Sequence, residues 1–238
     1  MTAASGEQAG IAAWFDATYR RLGFGYLRPP AAYPIYLQLL GAKSGDSLLD
    51  VACGPGLLLR AATERGVRAH GIDLAPTAVD MARRYAPDAQ VAVGNSEALP
   101  WPTGTFDHVT CIGSLERMID RRRVLAEVQR VARPDARFCF MVRNAQSLSW
   151  RVWRRGMRRQ NHDGHQDAGT LAGWRALFAE CGFVVDAVYP DQWLRQRVRS
   201  LWRGQPRPGR PEPVTRGVLP LRLALEFVFV LRRAESGT

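Results

Sequence analysis

The chain has 238 residues, of which 46% are hydrophobic and 23% are charged, a composition that suits one α/β domain with a sizeable core. No run of about 18 uncharged apolar residues occurs, so no membrane-spanning helix is expected, and the first ten residues lack the basic start and apolar run of a signal peptide. The net charge of +11 is concentrated in residues 143–238, which hold 17 of the 33 basic residues but only 8 of the 22 acidic ones. We therefore expect an anionic partner, which is a membrane surface, an acidic substrate or nucleic acid.

Two helical patterns precede the strands. In residues 11–24 apolar side chains recur at the helical period, and a second short helix ends at Gly41. We expect residues 7–41 to form helices that cap the domain built by the rest of the chain.

Strand and helix patterns then alternate. The expected strands are residues 47–52, 67–73, 89–94, 105–113, 137–144, 183–190 and 225–234. The expected helices between them are residues 57–66, 76–86, 121–132 and 170–182. This alternation predicts an α/β fold with a parallel, doubly wound sheet, and residues 1–238 are interpreted as a single domain.

Two segments interrupt the alternation and are interpreted as insertions, residues 145–169 and 191–217. Both place tryptophan and arginine at amphipathic spacing, in residues 147–159 and 191–204. Such helices suit an anionic membrane surface, and arginine with aromatic residues also suits nucleic acid. An amphipathic helix packed on its own domain, with its arginines in water, explains the pattern equally well.

The cysteines are widely separated in the sequence and form no CxxC pair. They are Cys53, Cys111, Cys139 and Cys181. Three of them fall in or beside expected strands, which is typical of small buried side chains in a reducing compartment. We therefore expect a cytoplasmic protein, peripheral at the membrane if the basic segments bind one, and no zinc site.

The segment LLDVACGPG, residues 48–56, combines a buried strand with a glycine turn. Gly54 and Gly56 let the backbone turn sharply and approach a ligand, and the helix that follows directs free N–H groups toward it. This arrangement occurs in several nucleotide-binding folds. Leu59 stands where a dinucleotide fingerprint has its third glycine, which argues against NAD or FAD.

Two later segments add polar groups to the same predicted edge of the sheet. Asp73 ends the second strand, 17 residues beyond Gly56, where its carboxylate suits the two hydroxyls of a ribose. Asn95 and Ser96 follow the third strand, where the edge of an adenine ring could be read.

Together, LLDVACGPG, GIDLAPTAVDMAR, EALPWPTGTFDHVTCIGSLER and EVQRVARPDARFCFMVRN resemble the class I S-adenosylmethionine (SAM)-dependent methyltransferases. The likeness is greatest to the small-molecule branch that contains ubiquinone and menaquinone methyltransferases, and it spans roughly residues 11–190. The resemblance implies a Rossmann-like seven-stranded sheet, with six parallel strands and an antiparallel last strand. It also implies SAM as the cofactor.

The resemblance further implies which residues contact SAM. Gly54 and Gly56 would lie under its methionine part, and Asp50 would meet the amino group. The full set is Tyr19, Asp50, Ala52, Gly54, Gly56, Asp73, Leu74, Asn95, Ser96, Ile112 and Gly113. In this set Tyr19 would close over the cofactor, and Ile112 and Gly113 would form the floor.

The catalytic base is not identified by the sequence. His162 and His165 lie in the first insertion and are candidates, although that loop also reads as a polar cap for the next helix. Glu116 is a further candidate, although pairing with a nearby arginine would explain it equally. Gly113 and Arg117 replace two ligands of the Glu-x-x-Glu-His metal motif found in the ubiquinone branch, so no metal is expected.

The sequence thus predicts a SAM-dependent methyltransferase whose acceptor is a small, lipid-like or quinone-like molecule. An RNA methyltransferase is the second interpretation, although no separate RNA-binding module is present. A non-catalytic partner protein with the same fold is the third, and the intact Gly54, Gly56 and Asp73 disfavour it. Tyr26 and Arg28 either face the site or pack beneath the N-terminal cap.

Overall fold

The computed structural model describes residues 3–148, 150–151, 167–191, 221 and 224–234. The α-helices whose bounds fall within these residues are α1 (Ala3–Leu22), α2 (Pro34–Leu40), α3 (Leu57–Thr63), α4 (Pro76–Tyr85), α5 (Arg121–Val131) and α6 (Leu171–Glu180). The strands are β1 (Ser47–Val51), β2 (Arg68–Asp73), β3 (Gln90–Val93), β4 (Phe106–Ile112), β5 (Ala132–Arg143), β6 (Phe183–Pro190) and β7 (Glu226–Arg233).

The strands form one sheet in the order β3-β2-β1-β4-β5-β7-β6. The strands β1 to β5 pair in parallel, whereas β7 runs antiparallel to both of its neighbours, β5 and β6. The sheet therefore has six parallel strands and an antiparallel last strand, and the expected fold class is confirmed. The strand order reverses at β1, and in such sheets ligands bind at that point, beyond the carboxyl ends of the strands.

The centre of the sheet is covered on both faces. All five residues of β1 are buried, which is typical of a parallel strand with helices on either side. Leu48 packs in a cluster with residues of α2 and α3, and the next residue, Leu49, packs on the opposite face with residues of α5. The carboxyl ends of the central strands are thereby fixed between two apolar layers.

The strand β5 begins five residues before its expected start at residue 137. Ala132 pairs with Phe106, and the next pair in the register is Arg137 with His108, so extra residues of β5 bulge out between the two pairs. Pro134 lies in this bulge, where the ladder requires no N–H donor. The sequence predicted a strand only from residue 137, whereas the structure accommodates the proline within the strand.

The helix α6 begins as its sequence predicts. Thr170 is the N-cap, and its hydroxyl oxygen accepts a hydrogen bond of 3.0 Å from the Gly173 N–H. Most of the two expected insertions, including residues 152–166 and 192–220, lies outside the described residues. Among the residues that the structure does describe, no helix has the length and apolarity needed to cross a membrane.

Replacing Gly71 in β2 by alanine tests the packing between the sheet and α3. A Cβ there would lie 2.7 Å from both Cys53 Sγ and Leu59 Cδ1, so we expect Gly71→Ala to lower the free energy of unfolding by about 1–3 kcal/mol. Urea denaturation measures this change. The matched control is Gly10→Ala in α1, where a Cβ meets nothing within 4 Å and where alanine favours the helix. Equal stability of the two variants would contradict this account of the packing.

Candidate functional site

Two adjoining cavities lie where the central strands end. The first has a volume of about 90 Å³ and is lined by α1 and by residues that end or follow β2, β3 and β4. The second has a volume of about 430 Å³ and extends from the loop after β1 to the end of β5 and the start of β7. The residues that line both cavities are Phe15, Tyr19, Ala52, Ser114 and Arg117. The cavities therefore meet at the loop after β1.

The structure brings the expected cofactor residues to these cavities, with one exception. The first cavity contains Asp73, Leu74, Asn95 and Ser96, and the second contains Asp50, Gly54, Ile112 and Gly113. Tyr19 and Ala52 lie at the junction. Gly56 lines neither cavity, and a Cβ on it would meet Ala82 of α4 at 3.0 Å. The second glycine of the motif is thus required for packing between helices.

The carboxylate of Asp73 holds the loop after β1 against the end of β2. Its Oδ2 accepts a hydrogen bond of 2.8 Å from the Gly54 N–H, and its Oδ1 accepts one of 2.9 Å from the Ala75 N–H. Asp73 is buried, and burial raises the pKa of its carboxyl even though the backbone N–H donors act to lower it. The side chain therefore shapes the turn as well as lining the cavity.

The backbone at the junction of the cavities is in the left-handed region. Ala52 has φ of +56°, which is uncommon for a residue with a side chain, and Gly54 has φ of +53°. A Cβ on Gly54 would lie 3.0 Å from the Tyr19 hydroxyl, so the ring of Tyr19 lies directly over the turn. Strained backbone of this kind persists where the surroundings hold it, and it occurs often at ligand sites.

Asp50 is buried at the inner end of the second cavity. Its Oδ1 accepts a hydrogen bond of 2.7 Å from Thr110, the residue beside it on β4. Burial raises the pKa of Asp50 to about 7, the Thr110 hydroxyl opposes the increase, and the nearby Asp73 adds to it. The carboxyl group is therefore close to half-protonated at neutral pH.

The polar residues after β3 are organised locally. The side-chain oxygen of Asn95 accepts a hydrogen bond of 3.0 Å from the Glu97 N–H, which forms a tight turn, and Ser96 is buried. This turn presents both residues to the first cavity. At the opposite end of the site, Gly113 follows β4 with φ of +75°, and a Cβ there would meet Met141 at 3.0 Å.

The helix α1 forms one wall of the first cavity through Gln8, Ile11, Phe15 and Tyr19. It is docked by Asp16, whose Oδ1 accepts a hydrogen bond of 2.7 Å from the Thr77 N–H. Thr77 lies in the first turn of α4, where backbone N–H groups lack helical partners. The wall is thus attached to the same helix whose start follows Asp73.

Sequence reasoning missed most of the second cavity's polar wall. Arg117, Arg143 and Glu226 line it, together with Tyr26 and Arg28, for which the sequence left facing the site open. Arg143 is the last residue of β5, and this position at the carboxyl end of a central strand could have predicted from the sequence that it lines the site. Glu226 gave no such signal, because only the antiparallel pairing of β7 with β5 brings it to this edge.

Of the three candidate bases, only Glu116 lies within the described residues. His162 and His165 lie outside the described residues. Glu116 is fully buried and is not among the residues that line either cavity, and neither of its carboxylate oxygens has a hydrogen-bond partner. Burial raises its pKa, although the surrounding arginines act to lower it. Within the described ranges, no group of three or more His, Cys, Asp or Glu side chains is arranged to hold a metal ion.

Comparison with known families identifies part of the chain. Residues 49–140 match the family model described as a methyltransferase domain. Over these residues the chain is similar to a methyltransferase domain. The matched segment contains most of β1, all of β2 to β4 and most of β5, and it includes every expected cofactor residue except Tyr19. The family resemblance expected from the sequence is confirmed.

Two curated relatives each match about half of the chain. The malonyl-[acyl-carrier protein] O-methyltransferase of Serratia marcescens is 37% identical over 116 residues, which are 47% of this chain and 45% of that protein. The ubiquinone biosynthesis O-methyltransferase of Alkalilimnicola ehrlichii is 31% identical over 118 residues, which are 48% of each chain. The chain spans about half the length of the curated relatives it matches.

A solved structure extends the likeness of the fold beyond the methyltransferase domain. The 1,6-didemethyltoxoflavin-N1-methyltransferase of Burkholderia thailandensis, which holds 1,6-didemethyltoxoflavin and S-adenosylhomocysteine, matches with a TM-score of 0.68. The match covers 99% of this chain and 92% of that chain at 16% sequence identity. At this identity the likeness shows a shared fold.

The raised pKa of Asp50 predicts a pH-dependent effect of Asp50→Asn. The pKa of Asp50 in the folded protein, about 7, exceeds the ordinary value of about 4. The contribution of this carboxyl to the stability of the wild type is therefore present at low pH and is lost as the pH rises toward 7. We therefore expect the stability of Asp50→Asn relative to wild type to increase by about 1 kcal/mol or more between pH 5 and pH 8.

Urea denaturation at the two pH values measures this difference. Asp88→Asn, at an exposed carboxyl on the surface, is the matched control. A difference between Asp50→Asn and wild type that stays constant or decreases with pH would show that Asp50 is ionised at low pH in the folded protein.

Proposed function

We propose that the chain is a SAM-dependent methyltransferase that acts on a small-molecule acceptor. The observation that carries this proposal is the first cavity, where Asp73, Asn95 and Ser96 converge and which meets a larger cavity at Ala52. A carboxylate beyond β2 and amide and hydroxyl groups beyond β3 suit an adenosine, and the larger cavity leaves room for an acceptor. The methyltransferase domain match and the bound S-adenosylhomocysteine of the Burkholderia neighbour support the same cofactor.

The residues present fit SAM by their shape and chemistry. A Cβ on Gly54 or on Gly113 would meet a neighbouring side chain at 3.0 Å, so these positions leave no room for a side chain beside the cavity. Each oxygen of Asp73 has one backbone donor and can accept a further hydrogen bond from a ribose hydroxyl. Asp50 offers its Oδ2 to an amino group.

When bound, SAM supplies a methyl group already activated on a sulfonium. The protein's task is then mainly to position the acceptor and to exclude water. Asp73 and Asp50 would fix the two ends of the cofactor. Tyr19 and Phe15, held on α1, would cover the junction of the cavities. His162, His165 and Glu116 are the candidates for taking a proton from the acceptor, and of these Glu116 is fully buried.

The acceptor is proposed to be small and lipid-like or quinone-like. The ubiquinone relative, which matches 48% of this chain, supports this class. The basic segments in residues 147–159 and 191–204 are proposed to contact an anionic membrane surface, on the strength of their sequence alone. We also propose that residues 1–238 form one domain in which residues 7–41 cap the site and residues 145–169 and 191–217 are insertions.

Transfer of a labelled methyl group from SAM into a total cell extract tests the proposed class of acceptor. We expect label in the lipid or small-molecule fraction. Label found only in RNA would favour an RNA methyltransferase. Folded protein that binds no SAM in calorimetry would instead favour a non-catalytic partner protein.

Replacing Asp73 by asparagine tests the cofactor site directly. The variant loses the charge that would accept hydrogen bonds from the ribose and that fixes the Gly54 N–H, so we expect affinity for S-adenosylhomocysteine to fall by about tenfold or more. Isothermal titration calorimetry measures this affinity, with Asp88→Asn as the control of equal charge change. Unchanged affinity in Asp73→Asn would remove Asp73 from the cofactor site.

A further inference from the structure

Three arginines line the second cavity, Arg28, Arg117 and Arg143. Arg143 ends β5, Arg117 follows β4, and Arg28 lies in the connection between α1 and α2. Asp50 and Glu226 are the acidic residues of the same wall. Arginine is the side chain best suited to bind carboxylate and phosphate groups through paired hydrogen bonds.

Arg28 is engaged with carboxylates of the protein. It donates to Glu226 and, at 3.0 Å, to Asp191, and it also contacts the Met141 sulfur at 2.6 Å. Burial acts to lower the pKa of Arg28, but Tyr36 and Asp191 outweigh it and the pKa is raised. The charge of this arginine is therefore stabilised from within the fold.

Arg143 is in a different electrostatic environment. Its guanidinium lies 3.5 Å from Glu226 Oε1 and stacks over the Trp150 ring, with its central carbon 5.3 Å from the ring centroid. Burial outweighs the attraction of Glu116 and lowers the pKa of Arg143, and the nearby cations Arg117 and Arg28 add to the decrease. An anion beside Arg143 would stabilise its charge against this burial.

Arg117 is held in place by the N-terminal cap. Its guanidinium carbon lies 5.2 Å from the centroid of the Phe15 ring, and its Nη2 donates a hydrogen bond of 3.2 Å to the Tyr26 hydroxyl. Arg117 lines both cavities, so it lies at their junction. Stacking on an aromatic ring fixes the plane of a guanidinium and leaves its edge for hydrogen bonding.

We propose that the methyl acceptor carries an oxyanion, a carboxylate or a phosphate, which Arg117 and Arg143 bind in the second cavity. This inference rests on the proposed function, because it names the acceptor class of the same site. The strand order separates the oxyanion from the cofactor. Arg143 is on β5 and Asp50 is on β1, and these two strands lie two positions apart in the sheet, or about 10 Å. The oxyanion subsite thus lies toward the end of β5, whereas Asp50 and Asp73, the carboxylates proposed to hold the cofactor, lie on β1 and β2.

The methionine part of SAM also ends in a carboxylate and is a second source of the same chemistry. The two sources are distinguished by filling the cofactor site first. Protein saturated with S-adenosylhomocysteine already holds that carboxylate, so further oxyanion binding reports an acceptor subsite. A comparison of S-adenosylhomocysteine with 5′-methylthioadenosine, which lacks the amino-acid end, reports the methionine carboxylate.

Calorimetry on the full chain saturated with S-adenosylhomocysteine provides the test, with benzoate, phenyl phosphate and the neutral benzamide as probes. We expect wild type to bind benzoate or phenyl phosphate at least tenfold more tightly than benzamide. Arg117→Gln and Arg143→Gln should each lose about tenfold in oxyanion affinity and little in benzamide affinity. Arg143→Lys, which keeps the charge, should retain part of the oxyanion affinity. Arg68→Gln, at an exposed position at the opposite end of β2, is the matched control.

Equal binding of benzoate, phenyl phosphate and benzamide by wild type would overturn the inference without any variant, even if Arg143→Gln failed to fold. Unchanged oxyanion affinity in both glutamine variants would also overturn it. The glutamine variants are also titrated with S-adenosylhomocysteine and with 5′-methylthioadenosine. A loss of affinity for S-adenosylhomocysteine but not for 5′-methylthioadenosine would assign the arginines to the methionine carboxylate and reject an acceptor subsite. Wild type that binds the oxyanions but no S-adenosylhomocysteine would reject the proposed function instead.

Discussion

The geometry of the site depends on one buried carboxylate. Asp73 accepts hydrogen bonds from the N–H groups of Gly54 and Ala75 and so joins the turn after β1 to the start of α4. Without that link, no side chain in the described structure would fix the Gly54 N–H at the point where the two cavities meet. The left-handed backbone of Ala52 and the contact of Tyr19 with Gly54 both depend on the position of this turn. A carboxylate buried at an energetic cost thus defines the space that a ligand would occupy.

Much of the fold and of the cofactor half follows from short stretches of sequence. Strand and helix periods, the glycine turn at Gly54 and the carboxylate of Asp73 are local patterns, and the structure places them as expected. The arginine-lined half of the site is not local. Arg28, Arg143 and Glu226 are far apart in sequence, and the antiparallel pairing of β7 with β5 places Glu226 beside Arg143. The bulge at Pro134 was not predicted for a related reason, since it depends on the pairing of β5 with β4, which the local pattern does not contain.

The family match also separates the expected cofactor residues from most of the arginine-lined wall of the second cavity. The matched methyltransferase domain covers residues 49–140, so Arg28, Arg143 and Glu226 lie outside it, whereas Arg117 lies within it. The match includes every expected cofactor residue except Tyr19, and most of the charged wall of the second cavity comes from parts of the chain that the family model does not cover. Relatives that act on different acceptors can therefore match equally well, and the substrate has to be derived from the wall of the second cavity.

The hydrogen bond from Thr77 to Asp16 has a consequence for exchange of ligands. It attaches α1 to the helix that starts just after Asp73, and the same α1 carries Phe15 and Tyr19, which line both cavities. A displacement of α1 that breaks this bond, together with the packing of Tyr19 on Ala75 and Ala78, would uncover the two cavities in one movement and release the support of Arg117 by Phe15. Entry of one ligand and departure of the other are then governed by a common gate, so their rates should be coupled.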